Sequence, residues 1–264
     1  MELTVWVALG MLLAAADAGV AKPKAGVVVD AGVLTVDAGV KKTELAPDVK
    51  ALVDRVQSFY EKTQDFKADF RQDYTYKAFK RTQTSSGKVI FRKPKGEMPA
   101  LMRWDYEKPA PKTFVLAGDR VLAYDPEAKL ITRAAISTNQ LSASVTFLFG
   151  VGKLENEFSI VKKPCPKCTG TQLELTPLVQ DPRFKKIFLE VDETSASVLK
   201  STVIDPDGSQ NAITFLLMST NVGVAEAQFK LTPAPGTQVQ DFLTGTQLTV
   251  PGSKDAGVAI DAGK

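Results

Sequence analysis

The chain has 264 residues, 44% of them apolar, and its lysines and arginines exceed its acidic residues by only three. This composition is typical of a soluble globular protein, and the scattered basic residues give no charged surface for nucleic acid. The absence of histidine excludes Ser-His-Asp and Cys-His nucleophilic sites and every zinc site that needs imidazole. We therefore predict a binding protein and not an enzyme, without a cofactor or metal.

The amino terminus carries an apolar run over residues 5–16 that ends in small residues. A run of this length is too short to span about 30 Å of hydrocarbon and is typical of a secretory signal. We predict a signal peptide over residues 1–16 and a mature protein in the periplasm. No cysteine follows the run, so we predict no lipid anchor.

Low-complexity sequence flanks the rest of the chain at both ends. The tripeptide Asp-Ala-Gly occurs three times between residues 17 and 39 and twice after residue 254. Such segments offer too little apolar area to offset the entropy of ordering the backbone. We predict a linker over residues 17–44, one folded domain over residues 45–243 and a flexible tail over residues 244–264.

The folded domain begins with a helical pattern and continues with alternation of period two. Apolar residues recur at helical spacing over residues 46–62, which predicts an amphipathic helix. From Phe66 onward, short alternating runs separated by glycine and proline turns predict antiparallel strands. The predicted strands are residues 66–71, 87–92, 98–106, 113–117, 120–124, 157–162, 172–176, 185–191, 198–204, 211–218 and 227–232.

A second amphipathic helix is predicted between the fifth and sixth strands. Ser137, Thr138 and Asn139 are cap residues, and Gly150 ends the apolar face. The predicted fold is mostly β with some α: an unclosed antiparallel β-barrel of about eleven strands, with the two helices as a lid.

Several short motifs follow one another in a fixed order along the chain: Phe66-x-Ala-x-Phe-x-Gln72, Gly87, Arg103-Trp-Asp-Tyr106 and Tyr124-Asp-Pro126, then Ile204-Asp-Pro-Asp-Gly208 and Phe229-Lys-Leu-Thr-Pro. In this order and spacing the sequence resembles the LolA family of periplasmic outer-membrane lipoprotein carrier proteins. The resemblance implies a lid over an apolar cavity that holds acyl chains.

The residues expected to line this cavity alternate with charged residues along their strands or lie on the second predicted helix. For each of them the alternative interpretation is an ordinary packed core. They are Phe70, Val89, Phe91, Met102, Trp104, Tyr106, Val121, Leu141, Val145 and Leu148.

Family members commonly carry an arginine directly before the proline that follows the strand beginning at Gly87. The guanidinium of that arginine can hold the lid by donating hydrogen bonds to backbone carbonyls. This chain has Lys93 before Pro94, with Arg92 one place earlier. The resemblance therefore implies a lid latch at Lys93 or Arg92, and a lysine brings fewer donors to it than an arginine. The alternative is a surface lysine without such a role.

Cys165 and Cys168 form a C-x-x-C motif in a Lys-Pro-Thr-Gly turn between two predicted strands. A redox pair normally opens a helix, so a structural disulfide that closes the hairpin is the favoured interpretation. A thiol enzyme and half of a zinc site are the alternatives.

The predicted function follows from the resemblance. The chain is expected to act as a monomer that takes acylated lipoproteins from an inner-membrane ABC transporter of the Lol type. It then passes them to an outer-membrane acceptor. The alternatives are a carrier of another lipid, and a lipid-sensing regulatory module with the same fold.

Overall fold

The structure, a computed structural model, describes residues 44–135 and 152–243 and the backbone of 246–249. One sheet of thirteen strands forms the domain, in the order β13-β12-β6-β5-β4-β3-β2-β1-β11-β10-β9-β8-β7. The strands are β1 Asp65–Tyr76, β2 Arg81–Arg92, β3 Leu101–Lys108, β4 Lys112–Ala117, β5 Arg120–Asp125, β6 Leu130–Ala135, β7 Phe158–Lys163, β8 Thr171–Pro177, β9 Lys186–Val191, β10 Val198–Ile204, β11 Gln210–Thr220, β12 Gln238–Asp241 and β13 Thr246–Thr249.

The predicted fold class is confirmed: the sheet is mostly antiparallel, and β7 and β13 form its two edges, so it does not close. The structure contains three strands that were not predicted, namely β6, β12 and β13. One pair of strands also departs from the predicted antiparallel arrangement, because β12 runs parallel to β6, with Val239 opposite Ile131.

The predicted strand over residues 227–232 is wrong. Its first half is a 3-10 helix, Glu226–Phe229, which lies across the sheet and not beside another strand. Arg103 explains the difference, because its Nη1 donates to the carbonyls of Gln228 and Lys230 at 3.1 and 3.0 Å. A side chain thus satisfies backbone groups that a neighbouring strand would otherwise pair.

Helix α1, Pro47–Lys62, begins with a proline, whose fixed φ suits the first helical position. It ends at Thr63, where the backbone becomes extended and the Thr63 hydroxyl donates to the Phe59 carbonyl at 2.8 Å. Its apolar face packs against the strands from β7 to β10, in a cluster that includes Leu175, Ile187 and Leu189. Among the described residues the other α-helix, α2, is the single turn Leu154–Glu157.

We call the face of the sheet that carries α1 the inner face. Cross-strand pairs place Ile187 and Leu189 of β9 on the same face as Ile213 of β11 and Phe70 of β1. The outer face of β3 to β6 is covered by the segment 224–239, whose Phe229 and Leu231 are buried against it. Both faces of β4 are therefore buried over residues 114–117.

The second predicted helix, with Leu141, Val145 and Leu148, lies outside the described residues. Among the residues that are described, no helix is long and apolar enough to cross a membrane.

Candidate functional site

The inner face carries a continuous apolar cluster, which we call the inner-face cluster. Every described member of it comes from β1 to β5 and β11. It brings together six of the predicted cavity residues, Phe70, Val89, Phe91, Met102, Trp104 and Val121, and adds Phe66, Ala68, Phe114, Leu116, Ile213 and Phe215. Tyr106, the seventh described cavity residue, packs against it while partly buried.

Aromatic rings fill the middle of this cluster. Phe70 meets Trp104 edge to face at 4.8 Å between ring centroids, and it meets Tyr106 in the same way at 4.9 Å. Phe215 lies 6.4 Å from Trp104. Edge-to-face pairs add stability beyond the area they bury, so these rings hold one another at the centre of the inner face.

Gly87 makes the contact between Phe70 and Tyr106 possible. It lies opposite Phe70 in β1 and opposite Tyr106 in β3. A Cβ on Gly87 would stand 1.9 Å from the Asp105 carbonyl oxygen, so no other residue fits without movement of the backbone. The glycine leaves a gap that the two rings close across β2.

Hydrogen-bonded polar side chains border the inner-face cluster at its end nearest the turn of the β1–β2 hairpin. The Tyr106 hydroxyl donates to Gln72 Oε1 at 2.9 Å, and Gln72 Nε2 donates to Asn211 Oδ1 at 2.9 Å. Burial raises the pKa of Tyr106, so the phenol is neutral and available as a donor. Trp104 is different, because its buried Nε1 has no hydrogen-bond acceptor among the described residues.

Lys93 follows β2 and reaches the carboxyl end of α1. Its Nζ donates to the carbonyl oxygens of Tyr60 and Glu61 at 2.7 Å each. Carbonyls in the last turn of a helix have no partner within the helix, and a cation there is favourable. Burial lowers the pKa of Lys93, and the Glu61 carboxylate opposes that shift.

Arg92 lies on the opposite face. Its guanidinium stands 5.9 Å above the Phe229 ring and 3.9 Å from Glu226 Oε2. Within the described part of the chain it is therefore Lys93, and not Arg92, that contacts α1.

Cys165 and Cys168 form the predicted disulfide in the loop between β7 and β8, with Cα atoms 5.3 Å apart. The described residues contain no group of three or more side chains arranged to hold a metal ion.

Sequence reasoning missed six members of the inner-face cluster. Phe66 and Ala68 belong to the same alternating run as Phe70 and could have been found from it. Phe114 and Leu116 were harder to assign, because β4 is buried on both faces and shows no alternation. Ile213 and Phe215 join through the pairing of β1 with β11, whose register no local pattern reveals.

Comparisons with known proteins identify the family of this chain. The model of the family described as outer membrane lipoprotein carrier protein LolA matches residues 61–232. A protein from Dechloromonas aromatica (strain RCB), named outer-membrane lipoprotein carrier protein, is 27% identical over 188 residues, 71% of this chain and 86% of the relative. A relative of the same name from Cupriavidus pinatubonensis (strain JMP 134 / LMG 1197) is 27% identical over 193 residues, 72% of this chain and 87% of its own.

A solved structure of an uncharacterized conserved protein from Thermus thermophilus has a TM-score of 0.47 and 14% identity, covering 74% of this chain and 99% of that protein. The family match spans more than half of the 264 residues and includes the strands β1 to β11. The chain therefore belongs to the LolA family of outer membrane lipoprotein carrier proteins.

Proposed function

We propose that this protein carries acylated lipoproteins through the periplasm, with their acyl chains held against the inner-face cluster. The observation that carries the proposal is the extent of this apolar surface: it continues across six strands in a chain of the LolA family. Its aromatic and aliphatic side chains suit a flexible hydrocarbon cargo, which needs apolar area more than directed polar contacts.

The buried Trp104 Nε1 supports the same proposal. A buried donor without an acceptor is uncommon and calls for an explanation. The acyl groups of a lipoprotein carry ester and amide carbonyls, which are hydrogen-bond acceptors. A cargo carbonyl beside Trp104 would satisfy this donor.

The energetics of acyl chains explain which partners the carrier needs. Moving a chain from water into an apolar site gains about 0.8 kcal/mol per methylene, which makes a soluble complex stable. Moving the same chain out of a bilayer gains almost nothing, because the bilayer is already apolar. We infer an energy-driven donor, an inner-membrane ABC transporter of the Lol type, and an outer-membrane acceptor that binds the acyl chains more strongly. This transfer needs no covalent step by the carrier.

In this proposal Lys93 is the latch that holds α1. The two carbonyls that it binds belong to the last turn of the helix, and its side chain emerges at the end of β2, beside Phe91 of the inner-face cluster. Release of this contact would remove the link between the end of β2 and the last turn of α1.

We expect Lys93→Met to lower the free energy of unfolding by about 1–2 kcal/mol, because hydrogen bonds from a charged donor are lost while the apolar stem is kept. Urea unfolding measures the loss, and hydrogen exchange should show faster exchange of amides in the last turn of α1. Lys93→Arg, which keeps charge and donors, is the matched control. Equal exchange in Lys93→Met and wild type contradicts the latch.

The proposed cargo can be tested with the intrinsic fluorescence of Trp104. The sequence contains two tryptophans, and Trp6 lies in the predicted signal peptide, so Trp104 alone reports in the exported form. A diacylated peptide should change its emission because acyl chains replace or exclude water around the indole.

The control is the same peptide without acyl chains, which should leave the emission unchanged. Equal signals from the two peptides contradict the assignment and favour an ordinary packed core.

A further inference from the structure

The β1–β2 hairpin extends beyond its neighbours at one end of the sheet. The two strands stay paired to Tyr76 and Arg81, whereas β2 pairs with β3 only from Ser86 onward. On the other side the pairing of β1 with β11 ends at Thr75. We call residues 76–81 the hairpin tip.

The hairpin tip presents an aromatic side chain to solvent. Phe79 is 79% exposed, and its ring packs edge to face against Tyr76 at 6.4 Å. Tyr76 in turn lies 4.6 Å from Tyr74. The position of Phe79 is thus supported from one side by Tyr76 and Tyr74, while most of its own side chain meets solvent.

The base of the hairpin is fastened to the adjacent turn between β10 and β11. The Tyr74 hydroxyl donates to Asp205 Oδ2 at 2.7 Å, and the Lys77 amide donates to Ser209 Oγ at 3.2 Å. Asp207 is engaged as well, because its carboxylate accepts from the amide and hydroxyl of Ser209. The tip is therefore held in place and not free to fold back.

The charges at the tip are all positive. Lys77, Lys80 and Arg81 are exposed, and the sequence contains no acidic residue between Tyr74 and Gly87. None of the three forms an ion pair with a side chain in the described ranges, while the acidic residue below them, Asp73, is paired with Arg71 at 3.0 Å.

An exposed aromatic ring surrounded by cations matches the interface of an anionic bilayer. Aromatic side chains settle at the level of the headgroups, and lysine or arginine stems lie along apolar surface while their charges meet lipid phosphates. The tip is the short turn at the end of a two-stranded hairpin, and its exposed ring and cations match a bilayer that offers apolar depth beneath anionic phosphates. We propose that the hairpin tip adsorbs to anionic bilayer surfaces through Phe79, Lys77, Lys80 and Arg81, and so keeps the carrier close to the membranes it serves.

The adsorption is tested by flotation of the exported form with vesicles of phosphatidylcholine alone, or with about 30 mol% phosphatidylglycerol. We expect the protein to float with the anionic vesicles only, and the bound fraction to fall several-fold as salt rises from about 0.05 to 0.3 M because the charges are screened. The double change Lys80→Glu and Arg81→Glu should reduce partitioning at least tenfold, and Phe79→Ser about fivefold.

Matched controls are Lys162→Glu with Lys167→Glu, which makes the same change of net charge at the other side of the sheet, and Leu217→Ser, which removes an 85% exposed apolar residue. Both should float like wild type. Circular dichroism checks that every variant is folded.

Trp104→Asp separates this inference from the proposed cargo site. The variant should lose acyl binding and still float, because its hairpin tip is intact. Equal flotation with neutral and anionic vesicles, or wild-type flotation of the charge-reversed tip, overturns the proposal. Loss of flotation in Trp104→Asp also overturns it, since vesicle binding would then depend on the inner-face cluster.

Discussion

Gly87→Ala should lower the free energy of unfolding by about 3 kcal/mol or more, because the added methyl group has no space. Its Cβ would stand 1.9 Å from the Asp105 carbonyl oxygen and 2.9 Å from Tyr106 Cα, and both are backbone atoms that cannot rotate away. Relief requires β2 and β3 to separate where Phe70 and Tyr106 meet. For a domain of this size the midpoint of thermal unfolding should fall by about 6–12 °C.

Ser86→Ala is the matched control, one residue earlier in the same strand. Ser86 already carries a Cβ and is only partly buried. Its free energy of unfolding should change by at most about 0.5 kcal/mol. If Gly87→Ala is as stable as Ser86→Ala, the close approach of β2 to β3 is wrong.

Trp104→Asp should weaken the binding of a diacylated peptide by about 100-fold or more, equivalent to roughly 2.7 kcal/mol. The change places a carboxylate among Phe70, Phe215 and the other apolar side chains of the inner-face cluster. Acyl chains that cover this carboxylate must remove its water, and no cation of the cluster compensates. Isothermal titration calorimetry measures the loss without relying on Trp104.

Two further variants define what the result means. Trp104→Phe keeps an apolar ring and should bind within about threefold of wild type if area dominates binding. Lys162→Asp adds a carboxylate to an exposed position on β7 and should leave affinity unchanged. Wild-type affinity in folded Trp104→Asp contradicts a lipid site at this position.

The sequence predicted the helix and most strands because their patterns are local. The apolar spacing of α1 and the alternation of β1 and β3 follow from which face of each element is buried. The alternation also placed Trp104 and Arg103 on opposite faces, as the structure has them. The charged face of β3 was expected to meet water, however, and Arg103 is instead covered by the segment that contains Gln228 and Lys230.

What the sequence left open depends on contacts between distant residues. Strand β12 joins β6 across more than a hundred residues and runs parallel to it, so a pattern of antiparallel hairpins could not predict it. The same holds for Ile213 and Phe215, which join the inner-face cluster only through the register of β1 with β11.

Lys93 was identified through family resemblance, but its contacts with the Tyr60 and Glu61 carbonyls depend on how α1 docks. The second predicted helix of the lid lies outside the described residues, and α1 packs against β7 to β10.

The most direct test of the carrier role is release of a lipoprotein from its own membrane. Inner-membrane vesicles of the source organism that hold an epitope-tagged lipoprotein are incubated with ATP and the exported form of this protein. Native mass spectrometry of the supernatant then identifies what has left the membrane. We predict a soluble complex of one carrier with one acylated lipoprotein, formed only when ATP is present and lost in Trp104→Asp. A supernatant without lipoprotein, or a complex that forms equally well with the unacylated protein, contradicts the account.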